Sequence, residues 1–155
     1  MNAGSNQIIV DGGYTGTGAA IALAGNLTTT NTSATAVVIT DATTVAIGNV
    51  SVLSGTLDLS DISGAVTQNS GSVINAKTVN ASTCSTVNLG GDNQIQNLGS
   101  ITTRGNLLVN DIGGGLNLTG SINTQESGVP GGNVTLSTAG GALALGANSI
   151  TTKNG

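Results

Sequence analysis

The residues that could carry chemistry are few and widely separated. The sequence contains no His, a single Cys (Cys84), and ten charged residues, of which three are basic and seven acidic. Asp58 and Asp61 are the one close pair of acids, and paired carboxylates are the groups that cleave glycosidic bonds in many glycosidases. The single Arg, Arg104, lies far along the chain, and without His no usual base accompanies the Cys84 thiol. We therefore expect no enzyme, with no catalytic, cofactor-binding or metal-binding residue.

Two glycine-rich stretches match known ligand loops only in part. The glycines at 12, 13, 16 and 18 lack the Lys-Ser/Thr that completes a phosphate-binding loop, and no helical pattern follows them. Gly90-Gly91-Asp92 is a single fragment of the nonapeptide that calcium-binding β-rolls repeat many times. Glycine-rich corners between strands account for both stretches.

Composition favours a narrow β core. The 155 residues include no Trp or Phe, one Tyr and 25 Gly, yet 37% of them are hydrophobic. The apolar residues are mostly Val, Ile, Leu and Ala, and together with Thr they suit strands rather than helices. A core without aromatic rings must be regular, because aromatics are the residues that fill large irregular volumes.

A short unit recurs along the chain. Each copy has three triplets that begin with Val, Ile or Leu, and the two clearest copies, between Leu107 and Thr152, are offset by 27, 27 and 28 residues. Earlier copies follow at offsets of 20 to 24 residues, and IIV (8–10) belongs to a further, partial copy. A period of 20–50 residues indicates a solenoid. The sequence predicts an all-β fold, a parallel β-helix with three short strands per coil and about six coils, as one segment over residues 1–155.

The alternation of side chains along a strand assigns an inward stack to each face, with coils about 4.8 Å apart. The first stack is predicted as Ile21, Val45, Val66, Val87, Leu107 and Val134, the second as Leu27, Val50, Val73, Ile95, Leu116 and Leu143, and the third as Val37, Leu57, Val79, Ile101, Ile122 and Ile150. The third copy is weaker, because Gln68, Asn75 and Ala81 fall at inward positions. Asn75 and Asn97 occupy equivalent positions, where their amides either stack along the axis or face water.

The outward residues form neither an acidic cluster nor a regular Thr array of the kind that ice-binding solenoids present. They are predicted as Ala22, Ala46, Thr67, Asn88, Leu108 and Thr135 on the first face, Thr28, Ser51, Ile74, Gln96, Asn117 and Ala144 on the second, and Val38, Asp58, Asn80, Thr102, Asn123 and Thr151 on the third. Longer connections at 110–115 and 125–133 are the places where binding residues could project.

Net charge and the length of the apolar runs indicate which kinds of partner the protein can bind. The net charge is −4 and no basic patch is available to neutralise phosphates, so we expect no nucleic-acid partner. The longest apolar runs, 19–24 and 36–39, are too short to span a bilayer, so we expect no membrane insertion. Open strand edges at the ends of a solenoid favour end-to-end or lateral self-association.

The segments NQIQNLGSITTRGNLLVND (93–111), GGGLNLTGSINT (113–124) and GGNVTLSTAGGALALGANSITT (131–152) resemble the repeats of filamentous haemagglutinin-like exoproteins. The resemblance covers residues 60–155 well and the earlier part by pattern only. It implies a right-handed β-helical shaft of a very large bacterial protein that an outer-membrane partner exports by two-partner secretion. Arg104-Gly105-Asn106 ends in Asn where the integrin-binding tripeptide of some members has Asp, so no binding residue is carried over.

These observations together predict a structural and adhesive shaft segment of a secreted or cell-surface bacterial protein. The chain is expected to be part of a much longer one, with Met1 supplied for expression, and host glycans or proteins would be bound by other regions. A carbohydrate-binding or polysaccharide-cleaving β-helix, and an ice-binding solenoid, are the alternatives.

Overall fold

The computed structural model describes residues 1–13, 18–125 and 131–152. Within these residues fifteen strands form one sheet, every strand pair is parallel, and there is no helix. The strands are β1 (Ile8–Asp11), β2 (Ala19–Ala22), β3 (Leu27–Thr28), β4 (Val37–Thr40), β5 (Ala42–Ile47), β6 (Val50–Ile62), β7 (Val66–Gln68), β8 (Ile74–Thr83), β9 (Val87–Thr102), β10 (Leu107–Asp111), β11 (Leu116–Leu118), β12 (Ile122–Asn123), β13 (Val134–Thr138), β14 (Leu143–Ala144) and β15 (Ile150–Thr151).

The sheet winds into a β-solenoid of about 5 turns, which confirms the predicted fold class. The first face confirms its predicted register throughout: β2, β5, β7, β9, β10 and β13 pair in that order. Its inward stack is Ile21, Val45, Val66, Val87, Leu107 and Val134, as predicted. The partial copy at the start also fits, because Ile8–Val10 pairs residue for residue with Val37–Ile39 of β4.

Three strands are much longer than the predicted triplets. β6, β8 and β9 continue through the corners, and β9 spans 16 residues and pairs with β10, β11 and β12 on successive faces. The inward side chains of β9 belong to the core, and Val87, Leu89, Ile95, Leu98 and Ile101 are all at most 1% exposed. The aliphatic core therefore closes without aromatic rings, as the composition predicts.

The second face departs from its predicted register at the weak third copy. Val50 pairs with Ile74 rather than with Val73, and Ile74 is fully buried whereas Val73 is only partly so. The turn over 69–72, with Gly71 at φ 73°, adds one residue before the strand. On the other side of β8 the departure is larger, because Ile95 pairs with Ala76, three residues from the predicted Val73.

The error continues into the next coil of the second face. Asn117 pairs with Asn97 and Leu118 with Leu98. Leu116 is therefore shifted by one residue from its predicted partner, Ile95. Leu116 itself is fully buried and pairs with Leu143 as predicted.

The third face contains a second register error. Val79 pairs with Leu57 as predicted, but on its other side it pairs with Leu98, and Ile101 pairs with Ala81. A β-bulge in β9, where Gly99 and Ser100 together lie opposite Asn80, changes the offset between partners from 19 residues (Val79 to Leu98) to 20 (Ala81 to Ile101), and both differ from the predicted offset of 22. Glycine is needed at 99 because a Cβ there would overlap the Asn80 side-chain oxygen. Beyond the bulge the predicted pairs of Ile122 are present, with Ile101 and with Ile150.

Of the two alternatives for Asn75 and Asn97, an amide stack or amides that face water, the stack is not formed. Asn75 pairs with Gln94 and donates a 2.9 Å hydrogen bond to its side chain, while Asn97 donates to the Lys77 carbonyl at 3.0 Å. The one-residue shift at Ile74 places Asn75 outward, so its amide lies on the surface of the second face.

Polar side chains instead enter the core at the corner that follows the first face. Asn93 is fully buried, and its carboxamide contacts Gln68, which occupies the weak inward position of β7. Asp111, its partner in the next coil, is equally buried, and Thr138 follows in the coil after that. These side chains supply hydrogen bonds where the chain turns and the regular ladder is interrupted.

Candidate functional site

A groove runs along the corner that follows the third face. It has a volume of about 510 Å³ and crosses four coils, at 61–63, 82–84, 102–104 and at Gln125. Most of these residues are the last residues of β6, β8 and β9 or directly follow them, so the coil spacing of about 4.8 Å sets their separation.

Buried threonines shape the wall of this groove. Thr83 and Thr103 are 5% and 0% exposed; Thr83 is the last residue of β8 and pairs with Ile62, and Thr103 directly follows β9. The Thr103 hydroxyl donates to the Gly105 carbonyl at 2.6 Å, and the Thr83 hydroxyl donates to the Gly64 carbonyl. These bonds fix the turn at each coil and so hold the following side chains, Cys84 and Arg104, at the same corner.

The groove carries one acid, one base and one thiol. Asp61 adopts φ 51°, a left-handed conformation that Asp tolerates at turns, and it lines the groove two coils before Arg104. Cys84, between them, is an exposed free thiol. With Ser82, Thr102 and Gln125 the groove offers donors and acceptors for hydroxyl or carboxylate groups, but no imidazole to activate the thiol.

The sequence analysis did not predict this groove. It considered whether Arg104 lies near Asp58, which is on the third face, and not whether it lies near Asp61, at the corner. Asp58 is the outward residue of the third face as predicted, between Val38 and Asn80. Asp61 is the next-to-last residue of β6, and Arg104 lies two residues beyond the end of β9. The available signal was position in the repeat. Asp61, Cys84 and Arg104 each lie within two residues of the end of the third-face strand in their coil.

The neighbouring Asp61 affects the carboxyl group of Asp58. Partial burial, and secondly the negative charge of Asp61, raise the pKa of the Asp58 carboxyl above its ordinary value of 3.8. Among residues 1–13, 18–125 and 131–152, no group of three or more His, Cys, Asp or Glu side chains could hold a metal ion.

The outward files of the three faces are chemically mixed. The first-face file is the predicted one, whereas on the second face Ser51 pairs with Asn75, not Ile74, and on the third Thr102 pairs with Ser82, not Asn80. The third-face file after the bulge is Ser82, Thr102, Asn123 and Thr151. It contains two separated Thr residues and does not form a regular Thr array.

The two longer connections differ in how far they can be placed. Residues 112–115 form an exposed turn after β10, with Gly114 and Gly115 at φ 110° and 141°. Most of the second connection, residues 126–130, lies outside the described residues.

Comparison of the chain with models of known protein families, with curated proteins and with solved structures found no match. No helix in the described ranges is long and apolar enough to cross a membrane.

Proposed function

We propose that the chain is a structural shaft segment of a secreted or cell-surface bacterial adhesin or filament-forming exoprotein. The observation that carries the proposal is the unbroken first face, on which six strands stack in register from β2 to β13. Such a stack lengthens a molecule by about 4.8 Å per coil without any requirement on outward residues. The outward side chains of each face are chemically mixed, which agrees with a role in extending the molecule rather than in binding a ligand.

The resemblance of residues 60–155 to filamentous haemagglutinin-like repeats supports the finer part of the proposal, namely export by two-partner secretion. In that setting other regions of the parent protein would bind host glycans or proteins, and this segment would hold them away from the bacterial surface.

A coil deletion in the full-length protein tests this function. Val87 pairs with both Val66 and Leu107, so removal of residues 87–106 brings Leu107 opposite Val66 and keeps the register. Removal of residues 87–96 alone breaks the register and serves as the control. A shaft predicts that the full-coil deletion reaches the surface, measured with antibody on intact cells, and adheres as well as the parent, whereas the half-coil deletion loses surface display.

Two results would contradict the proposal. One is loss of adhesion by the full-coil deletion at unchanged surface amount, because the binding determinant would then lie in this segment. The other is absence of the parent protein from the cell surface.

Carbohydrate binding is a second candidate function, and the groove of Asp61, Cys84 and Arg104 is the observation in its favour. Binding of the purified chain to immobilised acidic and neutral glycans, compared between Arg104→Ala and the exposed control Lys77→Ala, tests it. Weaker binding by Arg104→Ala alone would support it, and no binding by the unaltered chain would exclude it.

A further inference from the structure

The groove at the corner after the third face follows the solenoid axis, because successive coils add equivalent positions to it. Ile62, Thr83 and Thr103 form its floor and are 1%, 5% and 0% exposed. The residue before and the residue after each of them are exposed, namely Asp61 and Ser63, Ser82 and Cys84, and Thr102 and Arg104. The groove is therefore a trough between two columns of exposed side chains, and it crosses the strands.

The peptide groups beside this floor already take part in the hydrogen-bond ladder between coils. Cys84 N donates to Ile62 O at 3.0 Å, and Thr103 N donates to Asn123 O at 2.9 Å. A peptide that binds by adding a strand needs a sheet edge whose peptide groups are free. The trough lies across the middle of the stack and presents side chains, so its ligand must be one that side-chain groups can recognise.

Hydroxyl groups recur along the trough at the spacing of the coils. Ser82 and Thr102 are paired neighbours, so their positions are about 4.8 Å apart along the axis. That distance is close to the length of one hexose unit in an extended glycan chain, and each hydroxyl can both donate and accept. A peptide advances by only about 3.3 Å per residue, so its repeat does not match that of the coils. The four coils of the trough correspond to about four sugar units.

Two charged side chains distinguish the two directions along the trough. The Asp61 carboxylate accepts hydrogen bonds, which sugar hydroxyls donate, whereas the Arg104 guanidinium donates them and binds carboxylates well. The two residues are two coils apart, or about 10 Å along the axis. The net charge of −4 disfavours a glycan that carries a carboxylate on every unit. These charges favour a glycan with one acidic sugar beside Arg104 and neutral units toward Asp61.

We propose that the trough binds a linear oligosaccharide of about four hexose units along the solenoid axis, one unit per coil, with an acidic sugar beside Arg104. Ser82 and Thr102 bind hydroxyls of adjacent units, and Asp61 accepts from a neutral unit two coils away from the acidic one. This site rests on carbohydrate binding, the second candidate function above. It adds the direction in which the glycan lies, its length and the position of its charge.

Isothermal titration calorimetry of the purified chain with linear glucose oligomers, from the dimer to the hexamer, tests the length of the site. Affinity should rise with each unit up to the tetramer and then stay constant. A tetramer that ends in glucuronic acid should bind at least about tenfold more tightly than the neutral tetramer, because it adds a charge-assisted hydrogen bond. Arg104→Gln should remove this preference and keep the dependence on length.

A second variant tests the hydroxyl column. Thr102→Val removes one exposed hydroxyl with little change in volume and should weaken binding of the tetramer several-fold. Thr135→Val, at an exposed position of the first face, is the matched control and should bind as the unaltered chain does. Circular dichroism of both variants verifies that the fold is unchanged.

The outcomes separate this site from carbohydrate binding in general. Affinity that does not depend on length, or equal losses in Thr102→Val and Thr135→Val, would overturn the axial site and leave carbohydrate binding by the chain in place. Tighter binding of an extended acidic hexapeptide than of the acidic tetramer would overturn it in favour of a peptide. No binding of the oligomers would also overturn it, and carbohydrate binding itself would be wrong if the immobilised glycans were not bound either.

Discussion

Asn93 pairs in register with Asp111 of the next coil, and each accepts a 2.8 Å hydrogen bond from a backbone N–H of the preceding coil. The donor to Asn93 is Ile74 N, and the donor to Asp111 is Ile95 N. Both side chains are fully buried. The same corner is therefore stabilised in the same way in successive coils, by a polar side chain that replaces a missing ladder hydrogen bond.

Replacement of Asn93 should destabilise the fold strongly. Besides the bond from Ile74, its carboxamide donates to the carbonyls of Leu89 and Asn110, at 3.0 and 3.1 Å, and contacts Gln68. Asn93→Ala leaves these buried groups without partners, so we expect the free energy of unfolding to fall by about 3 kcal/mol or more. Urea denaturation measures it. Asn88→Ala, at an exposed position of the same strand, should change stability by about 0.5 kcal/mol or less, and equal effects of the two variants would contradict the role of Asn93.

Leu116→Asp tests the apolar stack of the second face. Leu116 is fully buried and pairs with Leu143, so an aspartate there places an unpaired charge in the core. We expect a loss of about 4 kcal/mol or more in unfolding free energy. Asn117→Asp adds the same charge to the neighbouring exposed position and is the control. Equal melting temperatures for Leu116→Asp and the unaltered chain, by circular dichroism, would show that Leu116 is not inward.

Alanine substitution of two glycines tests how closely the backbones of adjacent coils approach each other. A Cβ at Gly48 would lie 2.5 Å from the Leu23 carbonyl oxygen and 2.8 Å from that of Gly25, whereas a Cβ at Gly25 meets nothing within 4 Å. Gly48→Ala should therefore destabilise the protein by about 2 kcal/mol through overpacking against backbone. Gly25→Ala should be neutral or slightly stabilising. The prediction fails if thermal unfolding ranks the two variants in the opposite order.

The raised pKa of Asp58 predicts a pH dependence of stability. Because the folded state holds this proton more tightly than the unfolded state, stability falls as pH rises from about the unfolded pKa, near 3.8, to the higher folded pKa, and is then constant. Asp58→Asn should remove this contribution and raise the melting temperature at pH 7 relative to the unaltered chain. Asp92→Asn, at an exposed corner, should not. A lower melting temperature for Asp58→Asn at pH 7 would contradict the sign.

Sequence periodicity predicts most of the fold because inward Val, Ile and Leu residues recur at each coil. The first face was predicted without error, since its triplets are separated from the preceding strands by clear corners. The errors at Val73 and at Val79 arise because successive coils differ in length: Ile95 pairs with Ala76, three residues from the predicted Val73, and Ile101 pairs with Ala81, two residues from the predicted Val79. An additional residue in a corner or a bulge has the same residue type as ordinary corner residues. The periodicity of the sequence therefore does not reveal it.

The polar corner and the groove were harder to predict. Asn93 and Asp111 stand among Gly, Asp and Asn residues that are typical of exposed turns, and only the fold reveals that they are buried. The groove depends on side chains in different coils, and its detection requires the corrected register of the third face.

The most direct test of that register is a disulfide trap on the third face in a Cys84→Ser background. Ser82 and Thr102 are paired neighbours, so their Cα atoms are about 4.8 Å apart, within the range that a disulfide can bridge. Asn80 lies two residues before Ser82 in β8, so its Cα atom is about 8 Å from that of Thr102, beyond that range. We predict that Ser82→Cys/Thr102→Cys forms an intramolecular disulfide under mild oxidation, seen as a loss of two hydrogens by mass spectrometry, and that Asn80→Cys/Thr102→Cys does not. Cross-linking of the second pair but not the first would contradict the coil register on which the account depends.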